Sequence, residues 1–393
     1  MFRSYRVGTL FGIPLKLDIS LLIVLPFFTA VIGAQIDQIV ELLDGVIGPT
    51  IDTDALSGGL LPWILGLAAA LGLFVGVFLH ELGHSLVAMR YGYEIDSITL
   101  WLLGGLAQFT EQPRQWSHEF LIAIAGPVVS VAVGIVCYIG VLLIPESFDS
   151  VLFVLGYLAV LNVFLAVFNM IPAFPLDGGR VLRSILTRSS SFTKATERAV
   201  RIGKIFAVAL GLLGLLTFNI FLVIIAFFIY MAGSAEGRHT VIASVFEDVR
   251  VKEVMTPKDR FQTVSPELPL DEFLNTVMNH RHSGYPVVEG NRVVGIVTMS
   301  DFKEVSPDER QKKRVADVMT QDLKTISADE SAMEAFTELS RQSVGRLLVT
   351  NDRNEVVGLL TRTDLIRAFE ILQQRKLQPS SEAIQVPLEQ QQR

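Results

Sequence analysis

The chain has 393 residues, half of them hydrophobic and 19% charged, with one cysteine and a formal net charge of −7; its mean hydropathy is +0.47. That composition excludes a disordered chain, a collagen-like repeat and a disulfide-stapled secreted domain, and an acidic chain with no basic, aromatic-interleaved stripe excludes nucleic acid as a partner. Length suggests two or three domains, and the apolar residues are segregated: residues 1–243 hold nearly all of them, whereas the chain from Phe246 onward reads as a charged α/β protein.

A helix needs about 20 apolar residues to span a hydrocarbon core. In chain order, spans are predicted at Ile19–Ala34, Leu60–Leu79, Leu121–Ile144 and Val151–Leu176, and the long run Ile205–Ala235 divides near Thr217 and Asn219 into two more. Loop charges support six spans. Basic Arg3, Arg6 and Lys16 precede the first, and Asp37, Glu41, Asp44, Asp52 and Asp54 follow it. Arg90 and Arg114 then alternate with Glu146 and Asp149, and these with Arg180, Arg183, Arg188, Lys194, Arg198, Arg201 and Lys204. Basic loops face the cytoplasm, so the N-terminus and the charged tail are expected inside a cell membrane. No small-x-small site follows the first apolar run, and a cleaved signal peptide is not expected.

Ionisable residues at membrane depth are functional candidates by default. The second span ends in His80-Glu81-Leu82-Gly83-His84, an H-E-x-x-H pattern in which helical spacing places both imidazoles on one face, able to share a metal ion. A catalytic zinc site usually has three protein ligands and one open position. The third candidate is Asp177, in the segment from Asn169 to Gly179, where Pro172, Pro175, Gly178 and Gly179 break the helix. Broken backbone at membrane depth is tolerated where protein or a water-filled cavity satisfies it. The alternative is that Asp177 caps the helix beginning at Gly178.

These two motifs resemble those of the site-2 protease family of intramembrane zinc metalloproteases, peptidase family M50. The resemblance covers residues 1–243 and implies a six-helix core with one Zn2+ per chain, held by His80, His84 and Asp177, and Glu81 as catalytic base. It further implies that Asn169 holds substrate near the zinc, where its amide could donate to an oxyanion or simply serve the helix break. Between the second and third spans, Ser97–Phe109 reads as a short re-entrant hairpin, or as a buried turn of helix. It is similar to the family's membrane-associated strands, with Leu103, Gly104 and Gly105 as substrate-binding candidates, since an exposed strand edge can pair with an unwound substrate. Gly126-Pro127 also fits the family and is expected to serve helix packing.

Beyond Phe246 the sequence repeats with a period of about 63 residues. Val254-Met255-Thr256, Gly284–Val288 and Val294–Asp301 recur as Val318-Met319-Thr320, Gly345–Val349 and Val357–Asp364, each copy with an amphipathic helix in its first half. The pattern resembles a pair of CBS domains, at residues 248–306 and 314–371. That resemblance implies ATP or AMP as a regulatory ligand and a possible homodimer through the CBS domains. Thr298, Asp301, Thr361 and Asp364 are the candidate nucleotide contacts, or else caps of the helices that follow them. His280 and His282 lie two apart, share no helical face and read as solvated surface. Residues 377–393 read as a disordered end.

The expected architecture is therefore a polytopic α-helical membrane protein of six spans with a short re-entrant β element, plus a cytoplasmic α/β tandem CBS module. The expected activity is hydrolysis of a peptide bond within or next to a transmembrane segment of a membrane-protein substrate. A CBS-gated transporter or channel is the competing reading, its acids and histidines then forming an ion path. Transport has no need of a general base beside a metal, whereas hydrolysis has.

Overall fold

The structure is a computed structural model and describes residues 4–48, 51–102, 104–110, 112–280, 284–290 and 292–377. Leu103, His282 and the tail beyond Leu377 lie outside the described residues. The chain divides into two compact units, Met1–Arg238 and His239–Arg393.

The first unit opens with a hairpin of β1 (Ser4–Leu10) and β2 (Ile13–Asp18), followed by α1 (Leu21–Ala34), α2 (Ile36–Ile47), α3 (Thr53–Leu56) and the 30-residue α4 (Leu61–Arg90). Then come β3 (Ile95–Trp101), β4 (Gly104–Phe109), α5 (Trp116–Leu143), α6 (Asp149–Asn169), α7 (Asp177–Thr187), α8 (Phe192–Leu216) and α9 (Ile220–Val245). Among the described residues, five helices, α4, α5, α6, α8 and α9, are long and apolar enough to cross a membrane, and a sixth crossing requires α1 and α2 to count as one span despite a 73° bend.

That bend is a departure from expectation. The acidic stretch after the first apolar run, read from sequence as a loop, is the amphipathic helix α2, whose Ile36, Val40, Leu43 and Ile47 recur at helical spacing and are buried. They pack with Leu65, Ala69 and Ala70 of α4 and Leu152 and Phe153 of α6. The apolar run from Ile205 does break where expected, between α8 and α9. Asn219 caps α9, its Oδ1 accepting from the N–H groups of Phe221 and Leu222 at 3.1 and 3.2 Å.

The segment after α4 is a β-hairpin, not a buried turn of helix, and it belongs to a larger sheet ordered β1-β2-β3-β4. Strands β2 and β3 run parallel with Leu15 opposite Ile98 and Leu17 opposite Leu100; β3 and β4 run antiparallel with Ile98 opposite Ala107 and Leu100 opposite Gly105. The N-terminal hairpin was not expected from sequence, its strands being short and interspersed with basic residues. Its strands still show the period-2 alternation Tyr5, Val7, Thr9 and Ile13, Leu15, Leu17. One face of the sheet rests on α4: Ile13, Ile98 and Ala107 pack with Phe78, Leu79 and Leu82. The sheet thereby lies beside the H-E-x-x-H turn.

In the second unit, α10 (Val251–Val254), β5 (Thr256–Pro257), α11 (Leu270–His280), β6 (Gly284–Glu289), β7 (Arg292–Thr298), α12 (Met299–Glu304) and α13 (Pro307–Arg310) form the first repeat. The second comprises β8 (Thr325–Ser327), α14 (Ala332–Arg341), β9 (Arg346–Thr350), β10 (Val356–Thr361) and α15 (Arg362–Leu377). Each repeat lends its leading segment to the other's sheet: Thr256 pairs with Leu359 of β10, and Thr320 bridges Ile296 of β7. Ile296, Leu348 and Leu359 form a buried seam shared by the two repeats. Lys252 Nζ lies 2.6 Å from Asp329 Oδ1, and donating to that carboxylate it holds Asp329 below the usual carboxylate range.

Candidate metal centre

His80 and His84 occupy one face of α4 a single turn apart and are 4% and 3% exposed. Their rings meet edge to face, with centroids 4.8 Å apart. Each Nδ1 is held by α5. That of His80 is 2.9 Å from Ser130 Oγ, and that of His84 is 2.6 Å from the carbonyl oxygen of Ile122. A carbonyl only accepts, so His84 carries its proton on Nδ1 and, in the neutral ring, a bare lone pair on Nε2.

Asp177 approaches from the segment that breaks the membrane-depth helix. α7 starts at Asp177 itself, with Leu176 at the N-cap and no side-chain cap, so the carboxylate does not cap a helix beginning at Gly178. The segment between α6 and α7 is tightly laid under that first turn. A Cβ on Gly178 would overlap the carbonyl oxygens of Met170 and Ile171, and one on Gly179 would stand 2.7 Å from the Ala173 backbone. Only glycine allows the approach.

Asp177 Oδ2 lies 3.1 Å from His80 Nε2 and 3.2 Å from His84 Nε2, and the two Nε2 atoms are 3.1 Å apart. Tetrahedral ligands at about 2.0–2.1 Å from a zinc ion are separated from one another by about 3.3 Å. The observed triangle is close to one face of that tetrahedron, and these are the residues able to hold a metal among the described residues. With His84 neutral, its Nε2 lone pair and the carboxylate oxygen are both acceptors at hydrogen-bond distance, an arrangement that either a proton or a metal ion between them satisfies.

Gly126 of α5 borders the same point. A Cβ there would overlap His84 Nε2 and stand 2.8 Å from His80 Nε2. The sequence reading gave Gly126 to helix packing; its position against both donor nitrogens makes it part of the centre's wall.

Glu81 is one residue along α4 and lies outside the donor triangle. Its Oε2 accepts from the Ala107 N–H of β4 at 3.2 Å, and a Cβ on Gly105 would overlap Glu81 Cγ. The strand with Gly104 and Gly105 is thus laid directly over the carboxylate. Asn169, at the end of α6, donates from Nδ2 to the Leu165 carbonyl at 3.0 Å and does not join the triangle.

Ser130 and the Ile122 carbonyl were not singled out from sequence. Ser130 had a legible signal, a polar residue in an uncharged span; a backbone carbonyl has none. Replacing Ser130 with Ala is expected to weaken zinc binding about 10-fold, the lower end for groups that orient a ligating histidine. Competition with a chromogenic chelator measures it, and wild-type affinity would remove Ser130 from the site.

In the second unit the four nucleotide candidates act as caps. Thr298 Oγ1 accepts from the N–H groups of Ser300 and Asp301 and donates to Asp301 Oδ2 at 2.8 Å. Thr361 and Asp364 repeat the arrangement, with Thr361 Oγ1 donating at 2.6 Å. The hydroxyls are therefore engaged within the chain. Oδ2 is the capping oxygen of both aspartates.

A Peptidase family M50 model matches residues 68–153 and 146–210, and a CBS domain model matches residues 251–308 and 315–371. The chain is 32% identical over 378 residues to a zinc metalloprotease of Methanocaldococcus jannaschii, covering 95% of this chain and 98% of that one. The chain belongs to peptidase family M50, the site-2 protease family. This protease is also 31% identical over 386 residues to a putative zinc metalloprotease of Synechocystis, covering 94% of this chain and 96% of the other. A solved site-2 protease from Methanocaldococcus jannaschii is 34% identical and covers 60% of this chain and 95% of that chain, with a TM-score of 0.41; the assignment rests on the sequence relatives. The M50 protease unit and the CBS pair occupy one chain.

Proposed function

We propose that this zinc metalloprotease hydrolyses a peptide bond within or next to a transmembrane segment of a membrane-protein substrate, with His80, His84 and Asp177 holding one zinc and Glu81 as the base. The carrying observation is the convergence of two imidazole nitrogens and one carboxylate oxygen at 3.1–3.2 Å among buried residues. Zinc bound there would polarise a scissile carbonyl and bring the pKa of a bound water to about 7. Glu81 takes the water proton on its carboxylate and delivers it to the leaving amine. Ala107 N–H holds that carboxylate in place meanwhile. Asn169 has one amide N–H on Leu165 and a second for a developing oxyanion.

The chain spans the cell membrane six times, counting α1 and α2 as one broken span, with the N-terminus and CBS tail cytoplasmic as the loop charges indicate. Substrate backbone pairs along β4 near Leu103, Gly104 and Gly105. The CBS pair is the regulatory unit and the candidate route to a homodimer, with ATP or AMP as ligand. Because Oδ2 of Asp301 and of Asp364 caps a helix, Oδ1 of each is the oxygen for a ribose hydroxyl, and Thr298 and Thr361 keep those carboxylates in place.

Metal removal tests the reading. Chelation of the purified full chain is expected to strip one zinc per chain and to abolish cleavage of a membrane-embedded reporter, and added zinc to restore both. Cleavage that persists with no zinc bound would sink the proposal, and ion flux through proteoliposomes without cleavage would favour the transporter instead.

A further inference from the structure

The unit that carries the metal centre buries a second set of charges that the hydrolytic chemistry does not use. Arg183, on α7 six residues after Asp177, is 3% exposed, and Glu119 of α5 is 0% exposed. Arg183 Nε and Nη2 both reach Glu119 Oε1, at 2.7 and 2.6 Å, while Nη1 reaches Glu236 Oε1 of α9 at 2.6 Å. Glu119 Oε2 has no partner among the described residues. The guanidinium also lies over two rings, with its carbon 4.9 Å from the Phe174 centroid and 4.6 Å from that of Phe192.

Phe174 is the connection to the metal centre. It lies in the broken segment three residues before Asp177 and is 3% exposed. Gly203 of α8 approaches the neighbouring Ala173 closely, a Cβ there standing 3.0 Å from Ala173 Cα, and Gly233 of α9 lies against the Phe174 carbonyl. The segment is therefore cradled by α7, α8 and α9, and Arg183 contacts its Phe174 while also bonding α5 and α9.

The two carboxylates hold Arg183 unequally. Glu119 and Arg183 form a buried, neutral pair, and removing either partner would strand a charge. Glu236 is the surplus charge, its side chain 25% exposed, so it can let go into water and leave the buried pair intact. α9 continues past Arg238 into the second unit and is the covalent path between protease and CBS pair.

We propose that Arg183 is the positioning residue for the Asp177 ligand, and that its bond to Glu236 makes the placement of that carboxylate depend on α9. The inference rests on the metal centre proposed above. Movement of α9 that pulls Glu236 away frees one edge of the guanidinium, loosens its stack on Phe174 and lets the Asp177 segment relax from the histidines. A lysine is a poor substitute, since its ammonium lacks the planar fork that meets both carboxylates from fixed directions and has no planar face to lie over a ring.

Cobalt(II) titration of the purified full chain tests this, reading affinity and the visible bands that report coordination geometry. Wild type is expected to bind one cobalt per chain with a tetrahedral spectrum, and His84→Ala to abolish that spectrum. Arg183→Lys and Phe174→Leu are expected to weaken binding by about 10- to 100-fold and to lower band intensity; Glu236→Gln is expected to do so by about 10-fold with an unchanged melting temperature. Wild-type affinity and spectrum in both Arg183→Lys and Glu236→Gln would overturn the proposal while leaving the metal centre standing. An effect of Arg183→Lys without one of Glu236→Gln would overturn the dependence on α9. If Arg183→Lys does not fold, Glu236→Gln and Phe174→Leu decide. If wild type binds no cobalt, the metal-centre reading itself falls and this inference with it.

Discussion

Replacing Glu81 with Gln is expected to lower cleavage of a transmembrane reporter by about a thousandfold, within the range for loss of a general base, while leaving zinc at one per chain. The substitution is isosteric. Gln retains an oxygen to accept the Ala107 N–H, now 3.2 Å from Glu81 Oε2, so β4 keeps its place over the helix. What disappears is an oxygen that can take a proton. Since Glu81 lies outside the triangle formed by His80, His84 and Asp177, the metal has no reason to leave. Single-turnover cleavage by the purified variant, with metal content measured on the same sample, separates the two effects. Cleavage at the wild-type rate would remove Glu81 from the chemistry, and loss of zinc would make it a ligand.

The sequence was most informative where the physics is local. His80, Glu81 and His84 could be placed because a helix has a fixed period, so spacing alone puts the two imidazoles on one face. Asp177 could be placed because prolines and glycines at membrane depth need a reason. Groups that act through folding at a distance left weaker marks. The α5 wall of the site is a serine, a glycine and a backbone carbonyl, at Ser130, Gly126 and Ile122; only Ser130, polar in an uncharged span, leaves a mark in the sequence, and the other two have none that separates site from packing. Arg183 meets Glu119 and Glu236 across 64 and 53 residues, and no local pattern announces such a pairing. Arg183 was read only as one more cytoplasmic charge. The N-terminal strands and α2 show the same limit differently: their periodicities were present, but charge counted for topology concealed them. Thr298 and Asp301 show how one pattern serves two ends, because the residues suited to ribose and phosphate are also those that cap a helix.

Gly126→Ala is the sharpest test of how tightly the centre is walled. Ala is a better helix former than Gly by about 1 kcal/mol, so α5 itself is not weakened by the change, and any loss must arise where the new methyl points. It points at the proposed metal ligands: the added carbon would overlap His84 Nε2 and stand 2.8 Å from His80 Nε2 and 2.6 Å from His84 Cε1. Neither imidazole can swing aside freely, because Ser130 and the Ile122 carbonyl hold their Nδ1 atoms on the same helix that carries the methyl. Relief requires α5 to shift away from α4 or the histidines to break those bonds, and either change opens the donor triangle. Zinc affinity is expected to fall by at least about 100-fold, the upper end for losing the groups that orient ligands, and cleavage to fall with it, with partial recovery at high zinc. Metal-free Gly126→Ala is expected to melt below metal-free wild type, because the overlap is with the protein's own side chains. A Gly126→Ala protein that binds one zinc with wild-type affinity would show that α5 has room to move, and that the close approach seen here is not what shapes the site.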